Sequence, residues 1–477
     1  MFKHFLFRTP TLLLMVLIIS TSARGDIMDY YFHSLDIPQS SMSDFKQINQ
    51  LLGNDSIDDA ITLARQLLEE NPDFRGSRTL LHGKLMANLG MILGLGGYHE
   101  NSLATLDEAL ILIESTVRSF SPELLNVIMA RALTLAELEQ LEETEQALLR
   151  AQHISHRQEG VYSYSQIPIV EQLFEVQFQQ GNFLKADQQQ LFNLRINEQA
   201  YGYNSEELLP VLGKMGDYFA ERARRFRFTQ DNTIQHQELL FSRSQNLYNR
   251  AIDIIEFQYG PNDLRLVEPL RRLAYLRFSQ LYGSRMMGRM SNGMMFSQPV
   301  SSKPSKLAME RALNVVEGNS TTDLTDRIDA IIRLGDLYTL TSDKRAFETY
   351  LRAWSLLQEN PEHENLSVAL FGKPVLIGPG IPRVLYLEKR PRKVAPDENL
   401  FINARYTINA NGRVGEVKVI DKNVSTNQFH RLRSQLSAIR FRPRIVDGTF
   451  VETENLTIHQ TFRVARKRTS SNSSDNP

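Results

Sequence analysis

The 477-residue chain has no cysteine. That excludes disulfide staples, thiolate metal sites and a cysteine nucleophile, and it suits an oxidising compartment. Excess charge is missing too: 54 Lys and Arg balance 55 Asp and Glu, a formal net charge of -1. Nothing global therefore draws the chain to nucleic acid. There is no Gly-rich phosphate loop, no nucleophile elbow and no His-Glu-x-x-His. Carboxylates are plentiful, as in Asp58-Asp59 and Glu142-Glu143, but they fall on the exposed faces of predicted helices, and no pair is set apart for acid–base work. His153 and His156 stand three apart with no further ligand at metal spacing, which makes them surface helix residues rather than a zinc site. The expectation is a protein that is not an enzyme, with no cofactor, no metal and no small-molecule substrate.

A long apolar run is also lacking. A membrane span needs about 20 apolar residues, and the run Thr11–Ile19 is cut short by Arg8 and Pro10. Lys3 and Arg8 before it, and Ala23-Arg24-Gly25 after it, give the shape of a secretory signal over residues 1–25. A cleaved signal is preferred to a retained anchor.

From 26 to 370 the pattern is helical. Ala60, Ala64 and Leu67 recur four and three apart before Pro72. Leu173 and Phe178 lead to Gly181-Asn182, and Ala186 opens the next helix. Leu212, Met215, Gly216 and Phe219 precede Ser244, Tyr248 and Ala251, and Ile331, Leu334, Gly335 and Tyr338 precede Ala346, Tyr350 and Ala353. Small residues on facing surfaces let paired helices approach closely while large ones fill the gaps. Similar loop starts recur at Phe120-Ser121-Pro122-Glu123, Tyr201-Gly202-Tyr203-Asn204 and Tyr259-Gly260-Pro261-Asn262. This spacing resembles the tetratricopeptide repeat, whose unit is about 34 residues, in its variant with extended helices. The resemblance implies about six hairpins stacked into an α-solenoid with one protein-binding face. Lys84, Asn88 and Arg333 are of the types that grip a peptide carboxylate in some such arrays, but no complete clamp follows from their spacing. The run Arg285–Phe296, rich in Met, reads as an apolar loop, with soft-sulfur copper binding as the alternative. Arg222, Arg224, Arg225 and Arg227 read as a solvated helix end, with an acidic partner as the alternative.

Residues 371–399 are rich in Pro and Gly and form a joint that is stiff and extended, within which Val384–Leu387 can add a strand to the sheet that follows. Residues 400–464 then change period. Leu400–Ile408 alternates as a half-buried strand, and Asn411-Gly412 turns it back into Arg413–Ile420, with a bulge near Gly415. Phe429, Leu432, Leu436 and Ile439 make one helical stripe capped by Ser425 or Thr426. Two extended runs close the unit, Arg440–Val446 and Leu456–Val464, with Asp447-Gly448 between them. A Ser/Asn tail, 465–477, is expected to be disordered.

The succession Tyr406-Thr407-Ile408, Asn411-Gly412-Arg413-Val414, a helix, Arg440-Phe441-Arg442-Pro443, Asp447-Gly448 and Phe462-Arg463-Val464 resembles the C-terminal domain of TonB-type energy transducers. It departs from that family in having Arg390-Pro391 where Tyr-Pro is usual, and in lacking a Pro-rich spacer. The resemblance implies a periplasmic domain that adds a strand to peptide segments of envelope proteins. The expected fold is mainly α, a tetratricopeptide-like α-solenoid followed by a small α+β domain. The expected function is an exported periplasmic scaffold or adaptor associated with envelope transport, and the alternative is a membrane-anchored TonB-like energy transducer. Its partners would be proteins or peptides, outer-membrane proteins among them, met at the strands holding Phe441, Arg442, Arg444, Val446, Ile458, Gln460, Phe462 and Val464.

Overall fold

A computed structural model describes residues 42–72, 79–225, 234–290 and 301–464, apart from 379, 382, 388, 392, 396 and 397. The expected signal 1–25, Arg227, the second half of the Met-rich run and the tail 465–477 lie outside the described residues. The described chain is mainly helical and ends in a small α+β region. It divides into two compact units, Met1–Val211 and Leu212–Pro477.

In the first unit, helices α1 (Met42–Gly53), α2 (Ile57–Glu70), α3 (Thr79–Leu95), α4 (His99–Glu114), α5 (Leu125–Glu137), α6 (Leu141–Glu159), α7 (Ile167–Gln179) and α8 (Phe183–Tyr201) each pack on the next. One local device makes them hairpins. Asp55, Gly97, Glu139 and Gly181, a constant 42 residues apart, all take positive φ, at 62°, 78°, 59° and 75°. The next N–H then reaches back five residues to an otherwise orphaned helix carbonyl: Ser56 to Leu51, Tyr98 to Leu93, Gln140 to Leu135 and Asn182 to Gln177, at 2.8–3.0 Å. This is a Schellman close, and it folds the chain back within three residues. The interval of 42 exceeds the roughly 34 of the common tetratricopeptide unit.

The connection to the next hairpin also repeats. An extended Ser121, Ser163 or Ser205 leads into a single 3-10 turn, Pro122–Leu124, Tyr164–Gln166 or Glu206–Leu208. The last residue of each turn (Leu124, Gln166, Leu208) is fully buried and anchors the following helix. Close approach explains the glycines of α3: a Cβ on Gly83 would meet Ile113 at 2.8 Å, and one on Gly90 would meet Leu106 at 2.7 Å. Ser102 uses the same closeness to donate to the Gly90 carbonyl at 2.7 Å.

The second unit takes most of α9 (Leu209–Arg224), then α10 (Ile234–Tyr259), α11 (Val267–Met290), α12 (Lys303–Gly318), α13 (Leu324–Leu340), α14 (Ala346–Gln358) and α15 (Glu364–Phe371). The backbone of α11 runs through Arg285–Met290, so the Met-rich run begins as helix where a loop was expected; Met and Arg are good helix formers.

After α15 come β1 (Val375–Ile377), β2 (Val384–Leu387), β3 (Leu400–Ile408), β4 (Val414–Lys422), α16 (Thr426–Ala438), β5 (Arg440–Arg442), β6 (Arg444–Val446), β7 (Thr449–Val451) and β8 (Thr453–Val464). The main sheet has the order β2-β8-β3-β4, and β2 runs parallel to β8 while the other pairs are antiparallel. The β3–β4 ladder slips between Tyr406/Val417 and Ile408/Val414, which is a bulge at Gly415 and Glu416. Leu432 and Leu436 of α16 are buried with Leu400, Ile402, Ala404, Val417 and Phe462 of the sheet in one core.

Arg440–Val446 is not one strand. Pro443 has no N–H to give a ladder, and it splits the run: β5 pairs with β1, and β6 folds onto β7 through Asp447-Gly448, both at positive φ. Within the expected joint 371–399, β1 pairs with β5 and β2 with β8.

Candidate partner-binding edge

A strand offers its backbone to a partner only where no neighbour already pairs with it. β8 lies inside the sheet, pairing with β3 from Thr453 to Phe462. On its other side β2 covers only Thr461 to Val464. The end of that cover is sealed at Arg383, whose carbonyl accepts from Gln460 Nε2 at 3.1 Å and Thr461 Oγ1 at 2.8 Å. Among the described residues no strand pairs with this side of 454–459. Leu456 and Ile458 face the core there and are half-buried, whereas Thr457 and His459 are exposed on the opposite face. The His459 ring stacks on Phe401, with centroids 5.7 Å apart, and its Nδ1 shares a hydrogen bond of 2.7 Å with Asn403 Oδ1. Asn455, at φ 61°, ends the regular ladder below Leu456.

The other long edge, β4, is blunted. It carries two register breaks against β3 and the charged residues Glu416, Lys418, Asp421 and Lys422. Bulges and charges of this kind discourage edge pairing. The outer side of β2 spans only four residues, so among the described residues the longer regular open backbone of the sheet is on β8.

The expected partner-contact residues separate on this geometry. Ile458 lies on the open stretch, and Gln460, almost fully buried, stands at its end. Phe462 belongs to the core and Val464 is covered by β2. Arg444 and Val446 sit in the β6–β7 hairpin, away from the main sheet, and Val446 is exposed. Phe441 packs in the core of the α+β region.

Arg442 is not presented to a partner at all. Its Nε donates to Asp336 Oδ1 at 3.0 Å and its Nη2 to Asp336 Oδ2 at 2.7 Å, a two-pronged pair with side chains only 6% and 7% exposed. A third donation, from Nη1, reaches the Leu370 carbonyl at 3.4 Å. Burial alone lowers the Arg442 pKa, but the adjoining Asp336 carboxylate outweighs it and the net shift is upward. Tyr350 completes the group: its hydroxyl donates to Asp336 Oδ1 at 2.8 Å and lies 3.0 Å from Thr339 Oγ1. Burial, and then the same carboxylate, raise the Tyr350 pKa well above the ordinary tyrosine range.

Neither Asp336 nor its role was anticipated from the sequence. A signal was present, in the similar tetrads Lys214-Met215-Gly216-Asp217, Arg272-Leu273-Ala274-Tyr275 and Arg333-Leu334-Gly335-Asp336. Of the clamp types, Asn88 is buried in the packing of α3, and Arg333 donates to Asp329 Oδ2 at 2.7 Å. Among the described residues no cluster of three or more His, Asp or Glu could hold a metal ion, and no helix is long and apolar enough to cross a membrane.

No protein-family model matches the chain, and no curated protein matches it. Among solved structures, the crystal structure of BtubC (BKLC) from P. vanneervenii is similar at 14% identity, over 74% of this chain and 98% of that one. The TM-score of that pair is 0.22.

Proposed function

We propose that the protein is an exported, periplasmic adaptor whose helices form a tetratricopeptide-like solenoid and whose TonB-C-like end takes up an extended segment of a partner protein. The observation that carries this reading is the unpaired stretch 454–459 of β8. A segment laid along it gains main-chain hydrogen bonds, and alternate side chains meet half-buried Leu456 and Ile458. On this reading the partner meets Leu456, Thr457, Ile458 and His459, and not Arg442, Phe462 or Val464.

Site-specific photo-crosslinking in cells tests the reading. A crosslinker at Thr457 should capture a discrete envelope protein, while one at Lys418 on the blunted β4 edge should not. Equal capture at both positions, or none at 457, would refute it. The alternative, a membrane-anchored energy transducer, requires the N-terminus to be kept. The mass of the mature protein separates the two: a start near Asp26 supports the exported adaptor, and intact Met1 in membrane fractions supports the transducer.

A further inference from the structure

The buried Arg442–Asp336 pair is the last member of a series. On α9, Asp217 follows Gly216; it accepts from the Tyr248 hydroxyl at 2.7 Å and is met by Arg272 Nη1 of α11 at 3.2 Å. On α11, Tyr275 follows Ala274, is partly buried, and lies within electrostatic reach of Arg333 of α13. On α13, Asp336 follows Gly335, accepts from the Tyr350 hydroxyl, and is met by Arg442 of β5. In each case a small residue lets the second helix of the pair come close. Ser244 donates to the Gly216 carbonyl at 2.8 Å, Ser305 donates to the Ala274 carbonyl at 2.7 Å, and the Tyr350 ring lies over Gly335. In the first two cases the residue after the small one faces an arginine of the helix that follows the pair; in the third, α15 follows the pair and the arginine comes from β5, further along the chain.

Arg272 and Arg333 each stand three residues before the acceptor of their own helix. Each of those helices therefore reaches back with a cation and offers an acceptor forward. Arg442 reaches back from a strand.

We infer that the α+β unit is the cap of the helical stack: β5 docks on α13 and α14 in the place of a further helix, with Arg442 making the contact that Arg272 and Arg333 make between successive pairs. This rests on reading the helices as a repeat stack. Further contacts accompany it. Phe450 packs edge-on to Phe347 of α14 at 5.0 Å, Arg413 Nη2 donates to Ser342 Oγ at 3.3 Å, and Gly448 lies beside the ring of Trp354. A stack needs its last apolar face covered by something with a polar outer side. Here the cover carries the open sheet edge, so that edge is held rigidly to the final hairpin.

Trp354 is the chain's single tryptophan, and it sits in the docking contact, so its fluorescence reads the cap directly. In the full chain, Arg442→Met should shift its emission to the red and speed amide hydrogen exchange in α13 and α14 at least tenfold, with α9 and α10 unchanged. Arg442→Lys, which keeps the charge but loses the fork, should show the same pattern more weakly and serves if the Met variant does not fold. Asp336→Asn combined with Arg442→Met should loosen α13 and α14 no more than the worse single variant. Exchange in α13 and α14 within twofold of the parent chain, or additive effects in the double variant, would overturn the cap. Arg333→Met is the separate check: it should loosen α11 and α12. If it does not, the repeat reading fails; if it does while Arg442→Met is silent, only the cap fails.

Discussion

Gly335 lies within α13, where helix propensity alone predicts that alanine would stabilise by roughly 1 kcal/mol. The packing predicts the opposite sign. An added Cβ would stand 2.6 Å from Cε1 and 2.8 Å from Cδ1 of Tyr350. That ring is fully buried and cannot swing freely, because its hydroxyl is tied to Asp336 and Thr339 and it packs in a T-shape with Phe371, centroids 6.4 Å apart. Moving the ring breaks a hydrogen bond to a charged acceptor, which costs about 1.5–3 kcal/mol. Leaving it in place forces α13 and α14 apart, an overpacking cost of about 1–3 kcal/mol. Subtracting the propensity gain leaves a net loss of up to about 2 kcal/mol, up to roughly 30-fold in the folded-to-unfolded ratio. Urea unfolding followed by Trp354 fluorescence is the assay, since that residue is one turn beyond Tyr350 on the same helix. Gly335→Ala should lower the midpoint with an unchanged slope. Gly318→Ala is the control: a Cβ there meets nothing within 4 Å, so the midpoint should hold or rise slightly. A midpoint for Gly335→Ala at or above that of the parent chain would refute the reasoning.

Glu139 holds a left-handed turn at φ 59° where two of its three counterparts are glycine, so Glu139→Gly should stabilise the first unit by about 1 kcal/mol, read as a higher midpoint for α5–α6 in hydrogen exchange. Gly412, at φ 72°, has the Phe441 carbonyl oxygen where a Cβ would go, and its own carbonyl accepts from Phe441 N–H at 2.8 Å. Gly412→Ala should therefore cost more than about 2 kcal/mol and loosen the β3–β4 turn and β5 together; an unchanged thermal midpoint would count against it. Hydrogen bonds from Arg345 first, and then from Lys306 against the opposing effect of burial, hold the Asp343 carboxyl well below the usual carboxylate range. A lowered folded pKa gives stability that is present above about pH 4 and lost as pH falls through the folded value. Asp343→Asn should lower stability at neutral pH and flatten this part of the acid limb; an acid limb as steep as the parent's would contradict the assignment.

Much of the local structure could be read from residue spacing. The Ala and Gly positions on α9–α10 and α13–α14, the Asn411-Gly412 turn, the bulge at Gly415 and the stripe of α16 are all set by side-chain volume, backbone freedom and period, which act over a few residues. The 42-residue turns were less visible, because Asp55 and Glu139 do at positive φ what Gly97 and Gly181 do, and only the backbone reveals it. What stayed out of reach was pairing across distance. Alternation in Ile458–Val464 identifies a strand with two faces but not which flank carries a neighbour, and the answer came from Val384–Leu387 running parallel to its last four residues. Arg442 was expected to meet a partner protein, and the group it does meet, Asp336, stands 106 residues earlier. An ion pair of that kind leaves no periodic trace: either charge alone is ordinary, and only the fold that brings β5 onto α13 makes burying both of them possible.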